Sequence, residues 1–275
     1  MITAAQVEPV VPAPPAPRRR RVRWGQVAAA VALPLLLVLL WQVSAWIVQP
    51  REWILPSPAT IASTGWDVRE RLWYHAQWTI LITIVGFALA TVVGCLLAAM
   101  IARSRIAGLM LYPWIIVSQT IPLVALAPLL VLWMPDFGAM VTLAALISIF
   151  PVIVAGVDGL RSTDPELIRA VRTLGASPGW TWRHVRVPAA LPRLFTGLKL
   201  AAVFAVTGAV VGELVASDRG LGALTRLSAG QFETPVTFAA VVILALIGIA
   251  MFLIVATAEW AALPYSRRGT RPGSN

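Results

Sequence analysis

"DPELIRAVRTLGASPGWTWRHVRVPAALP", Asp164 to Pro192, is a charged, capped stretch set between long apolar runs. Its first half reads as a helix. Thr163 or Asp164 can accept the first backbone N–H groups, Pro165 fits the first turn, and Glu166 lies near the positive end. Leu167, Ile168, Val171 and Leu174 recur at helical spacing and form one apolar stripe, while Arg169 and Arg172 occupy another face. Gly175 is a stop able to take a positive φ. Ser177-Pro178 repeats the pairing of cap and proline and opens a second short helix through Trp180, Trp182 and Val185 to Pro188. The stretch therefore predicts a helix–turn–helix, with its apolar side toward neighbouring helices and its turn projecting into solvent. A merely solvated loop needs neither two caps nor an apolar stripe.

The flanks decide what kind of chain carries this element. Of 275 residues, 59% are hydrophobic and 12% charged, where a soluble domain of ordinary composition carries about 25% charge. The apolar residues are concentrated. Charge-free runs cover Trp24–Pro50, Ala76–Ala102, Ile106–Pro135, Phe137–Val157 and Thr234–Ala258, and a sixth, Leu200–Val215, is broken only by Glu213. Each approaches or exceeds the roughly 20 helical residues that cross a hydrocarbon core. The expected fold is an all-α membrane protein with six transmembrane helices.

The formal net charge of +10 does not point to nucleic acid. With the N-terminus inside, Arg18–Arg21, Arg23, Arg103, Arg105, the seven bases from Arg161 to Lys199, Arg267, Arg268 and Arg271 fall on one side. Only Arg51, Arg69, Arg71, Arg219 and Arg226 fall on the other. That asymmetry places both termini in the cytoplasm. The expected organisation is a disordered basic tail over 1–23, a six-helix domain over 24–260 containing the cytoplasmic loop 161–192, and a cytoplasmic tail over 261–275. The first apolar run exceeds a signal-peptide core in length and reads as a retained anchor. Cys95 is the single cysteine, and His75 and His184 fall on opposite sides, so no metal site is expected.

Two features stand out within the spans. The third, "IAGLMLYPWIIVSQTIPLVALAPLLVLWMP", carries Pro113, Pro122 and Pro128 with Ser118-Gln119-Thr120 near its centre. Each proline removes a backbone donor, and freed carbonyls at membrane depth need protein or water around them. Ser118 and Gln119 are thus candidates for lining a pathway, or for bonding a neighbouring helix. Glu213 either reaches the outer interface or lines the outer mouth of that pathway. Before the external helices, "ILPSP" (Ile54–Pro58) is expected to be extended; after Glu213, Gly220 and Gly222 predict a tight turn.

"RAV" (Arg169–Val171), then Gly175, then Val185 and Val187-Pro188 resemble the cytoplasmic signature of ABC-importer permeases, E-A-A, three residues, Gly, nine residues, I-x-L-P. Arg169 stands where Glu is usual. "ILPSP", "QTIPLVALAPLLVLW", "FPVIVAGVDGLRSTDPEL" and "VVGELVASDRGLG" are similar, in order, to the nitrate/sulfonate/taurine-type permeases, a family that also includes importers of riboflavin and of the pyrimidine precursor of thiamine. The resemblance spans about Trp46 to Trp260.

The resemblance implies a type I ABC-importer permease fold in the cytoplasmic membrane. It further implies that Arg169, Ala170, Val171, Arg172, Leu174, Gly175, Ala176, Ser177 and Trp180 form a coupling helix docking into a separate ATPase. It implies two ATPase copies, an extracytoplasmic substrate-binding protein and a second permease copy as partners, with membrane lipid around them, and no cofactor. The only lysine, Lys199, is followed by Leu200, so no P-loop can be written in this chain. A proton-coupled secondary transporter would show paired broken helices in two repeated halves, and an intramembrane enzyme would need a partner for Glu213; neither is evident. No arginine interrupts a span, which favours a neutral heterocyclic precursor or vitamin over an anionic sulfonate or nitrate as cargo.

Overall fold

The structure is a computed structural model describing residues 24–263, with side chains described from residue 32 onward. The N-terminal tail, all but residues 261–263 of the C-terminal one, and the arginines of both tails lie outside the described residues. The chain divides into two units, Met1–Gln49 and Pro50–Asn275. The first contains α1 (Trp24–Val48), with Pro34 inside it. Residues 32–40 are exposed around more than two full turns, so this helix has no polar face to separate from an apolar one.

In the second unit all described regular structure is helical: α2 (Pro58–Asp67), α3 (Arg69–Arg103), α4 (Arg105–Ser118), α5 (Leu123–Trp133), α6 (Asp136–Arg161), α7 (Pro165–Thr173), α8 (Pro178–Thr181), a π turn (Trp182–Arg186), α9 (Val187–Ala216), α10 (Leu221–Gly230) and α11 (Thr234–Ala262). Four helical stretches among the described residues are long and apolar enough to span a membrane: α3, α6, the continuous run Pro178–Ala216, and α11. The pair α4–α5 adds a fifth if it counts as one span. "ILPSP" behaves as its prolines dictate: Ser57 is extended, with φ −73° and ψ 152°, and its hydroxyl accepts the Thr60 N–H at 3.1 Å to cap α2.

The core is built on close backbone approach. In lipid there is no hydrophobic drive between apolar helices, so association relies on small residues that let backbones touch. α6 packs along α9 on one side and α3 on the other. A Cβ on Gly208 of α9 would lie 2.6 Å from Ala144 Cα, and one on Gly156 of α6 would lie 2.7 Å from the Ala98 Cβ of α3. Ala201, Ala202, Ala205 and Ala209 are fully buried on the same face of α9. The lysine of α9 is matched: Lys199 Nζ donates to Glu259 Oε2 of α11 at 2.8 Å.

Three expectations are corrected. The third apolar run, counted as one helix among the six, is two helices. It breaks at residues 119–122 into α4 and α5, bent by 98°. Gln119, Thr120 and Ile121 turn tightly through i→i−3 bonds to Ile116, Val117 and Ser118, and Pro122, with no N–H, cannot rejoin the ladder. The fifth span starts earlier than its apolar run. Pro188 and Pro192 do not end the helix that opens at Ser177, because the π turn shifts the bonding to Val187 N–H→Trp182 O just before Pro188, so the missing donor is absorbed. Finally, the apolar stripe of α7 is only partly covered: Ile168 and Val171 are half-buried, Leu167 is 49% exposed, and no α7 residue is fully buried.

Candidate functional site

The turn between α7 and α8 is held from both sides. The Asp164 carboxylate accepts the Glu166 N–H at 2.8 Å, which settles the choice between Thr163 and Asp164 as cap. At the other end of α7, Gly175 has φ +88°. Its N–H reaches Arg172 O at 2.9 Å while the Ala176 N–H reaches Val171 O at 3.3 Å; this is the paired closure of a Schellman ending. Ser177 then accepts the Trp180 N–H at 3.2 Å and caps α8. The tip between these caps is bare. Leu174 is 87% exposed, and nothing lies within 4 Å of where a Gly175 Cβ would be. Trp180 is also exposed and stacks on His184 with ring centroids 4.6 Å apart. Arg169 lies 3.8 Å from Glu166; both side chains are solvated, so the pair contributes little. Among the described residues the tip is a preorganised knob whose Leu174 side chain is left uncovered.

The three residues expected along a pathway do not form one cluster. Ser118 and Gln119 sit at the break in α4–α5 and are exposed on the chain's own surface. The Ser118 hydroxyl donates to Ile115 O at 2.7 Å and the Thr120 hydroxyl to Val117 O at 2.7 Å, so local side chains satisfy part of the opened backbone. α4 has 14 residues, so the break lies about 21 Å along the helix from its start, a length short of the roughly 30 Å of a hydrocarbon core.

Glu213 instead is fully buried. Its Oε2 accepts the Gly222 N–H at 2.8 Å. Gly220, at φ +101°, is packed so closely that a Cβ there would strike the Glu213 carboxyl group. Two α3 residues that sequence reasoning missed complete the arrangement. His75 Nδ1–H donates to Gly220 O at 3.0 Å, and Thr79 Oγ1 accepts the Leu221 N–H at 2.8 Å. A separation of more than 140 residues left no local signal for either. Glu213 therefore faces inward within the single chain and fastens the turn that follows α9.

Residues 90–259 match the family described as binding-protein-dependent transport system inner membrane component. The chain belongs to that family. The permease is 36% identical over 237 residues to the formylaminopyrimidine transport permease protein ThiX of Halalkalibacterium halodurans, covering 85% of this chain and 94% of that one. It is 38% identical over 246 residues to the riboflavin transport system permease protein RibX of Chloroflexus aurantiacus, covering 87% and 90%. It is 31% identical to the putative aliphatic sulfonates transport permease protein SsuC of Bacillus subtilis, covering 84% of each. Among solved structures its fold is similar to that of the inward-facing MetNI methionine ABC transporter, with TM-score 0.61 and 19% identity over 73% of this chain and 98% of that chain. The permease is thus an ABC-importer subunit of the inner membrane that moves a small solute, and its family implies an ATPase and a substrate-binding protein as partners. These similarities do not favour a secondary transporter or an intramembrane enzyme.

Proposed function

We propose that two copies of this permease, each with six spans and both termini in the cytoplasm, enclose the translocation path, and that two copies of a separate ATPase drive them. α1, α3, the broken pair α4–α5, α6, α9 and α11 supply the six. Leu174 to Ser177, with Arg169–Arg172 and Trp180 around them, dock the ATPase. The single observation that supports this docking most is the 87% exposure of Leu174 on a turn capped from both sides, since a rigid exposed anchor gives affinity at low ordering cost. Gly175→Trp should leave the permease inserted while the ATPase fails to co-purify; undiminished recovery together with full transport would reject the docking role.

The break in α4–α5 supports a path at Ser118 and Gln119. Irregular backbone at this depth is tolerated only against protein or a watery cavity, and within one copy that surface is bare. The outer turn held by Glu213 then closes the far end of α9 from behind. The cargo we favour is a small heterocycle of the pyrimidine or flavin kind, by similarity to the two relatives at 36% and 38% identity. A thermal-shift screen of the cognate binding protein tests it: stabilisation by pyrimidine or flavin compounds is expected, and a response confined to alkanesulfonates would overturn it. Orientation is tested in a Cys95→Ala background. Ser63→Cys and Ser217→Cys should react with an impermeant thiol reagent added outside, and Ser177→Cys should not.

A further inference from the structure

Two cavities share Trp182 in their linings. One, of about 310 Å³, is lined by Arg103, Arg172, Pro178, Thr181, Trp182 and Arg186. The other, of about 190 Å³, has Trp182 in common with it and is otherwise small and apolar, with Ala98 and Ala99 from α3, Leu160 from α6, and Val187, Ala190 and Leu194 from α9. The order along the helices is consistent. On α3, Ala99 precedes Arg103 by one turn; on α9, Ala190 and Leu194 follow Arg186 by one and two turns. The cationic cavity therefore sits at the helix ends and the apolar one runs from it into the span.

No carboxylate lines the cationic cavity, and none of its three arginines forms an ion pair among the described residues. The Arg103 and Arg186 guanidinium carbons lie 5.8 and 5.9 Å from the centroid of the same Trp182 ring. Gathering three cations around one hollow is unfavourable unless water or an anion screens them. An indole at this position belongs at headgroup depth. We infer that these neighbouring cavities, on the two sides of Trp182 along the helices, hold one molecule of an acidic phospholipid, its phosphate among Arg103, Arg172 and Arg186 and the start of an acyl chain between α3, α6 and α9. An acidic side chain from a soluble protein matches the charge but has no acyl chain to fill the second cavity, and basic pockets between spans on this side are suited to anionic headgroups. The inference rests on the orientation proposed above, with this end of the bundle at the cytoplasmic face; it does not depend on the ATPase docking.

Native mass spectrometry of the full-length chain in detergent tests it, with phosphatidylglycerol, phosphatidylcholine of the same acyl chains, and inorganic phosphate as probes. One tightly held phosphatidylglycerol is expected, with weaker phosphatidylcholine. Joint Arg103→Gln and Arg186→Gln should weaken it about tenfold or more, Ala99→Phe should weaken it with every charge in place, and Arg105→Gln, outside the lining, should not. If the joint variant does not fold, Arg172→Gln on the exposed α7 reads the same loss. Equal binding of both lipids, or phosphatidylglycerol retention unchanged by all these variants, overturns the inference. So does displacement of the lipid by inorganic phosphate alone, which would mean a free-anion site. Variants that keep the lipid but release a co-purifying ATPase would mean that the arginines receive an acidic protein surface.

Discussion

The two ends of the bundle are finished in opposite ways. At the end carrying Glu213, a turn is fastened inward: Gly222 to Glu213, Gly220 to His75 and Leu221 to Thr79. At the end carrying Gly175, a turn is fastened only to itself, through Asp164, the Schellman closure and Ser177, and it presents Leu174 to solvent. Both turns depend on a glycine with positive φ, yet a side chain would collide with Glu213 at Gly220 and meet nothing at Gly175. Rigidity in the first comes from the rest of the chain. In the second it is local, which leaves the surface free for another molecule.

The contrast can be broken most severely in the small-residue core that joins the two ends. Gly208→Val puts a branched side chain against the Ala144 backbone, where nothing flexible can give. It should destabilise by at least ~3 kcal/mol and lower the detergent melting temperature by roughly 6–12 °C; a wild-type melting curve would refute the close-packing account. Gly220→Ala is the next largest. It combines φ strain with a collision at Glu213, and should cost about 2–4 kcal/mol. Hydrogen exchange should rise across 217–224 and stay unchanged across 164–180. Equal increases at both turns would mean that the two ends are not fastened independently.

Smaller effects sharpen the distinction. Lys199→Met leaves Glu259 half-buried without its partner and should cost about 1–3 kcal/mol, read as a lower melting temperature largely restored by Glu259→Leu in the same chain. Leu174→Ala should leave melting within about 0.5 kcal/mol of wild type while weakening ATPase recovery. The least effect is expected from Glu166→Gln, which removes the exposed 3.8 Å pair with Arg169; a change above about 0.5 kcal/mol would contradict its solvated setting.

Much of this was legible along the chain. The capped turn was written in Asp164, Pro165, Gly175, Ser177 and Pro178, whose effects reach only three or four residues. The spans were written in composition, and the family in several ordered motifs. The inward direction of Glu213 was not legible, because an acid near the end of an apolar run can equally face lipid headgroups or neighbouring helices. Nor was the partial exposure of the α7 stripe, since helical spacing records which residues share a face and says nothing about what that face meets. The π turn before Pro188 was missed because a proline ordinarily signals a stop.

By itself the sequence determined the capped starts of α7 and α8 and the glycine stop between them, how many apolar runs there are, and that no P-loop can be written in the chain. These follow from local hydrogen-bonding options and from the free energy of placing each residue in lipid or water. Only the tertiary structure decided that α4 and α5 part by 98°, that His75 and Thr79 hold a turn more than 140 residues away, and that Arg103, Arg172 and Arg186 gather around one indole. Each depends on which backbones approach closely enough for particular side chains to meet, and that is settled by packing glycines and alanines of three helices against one another, a property of the whole bundle that no single stretch contains.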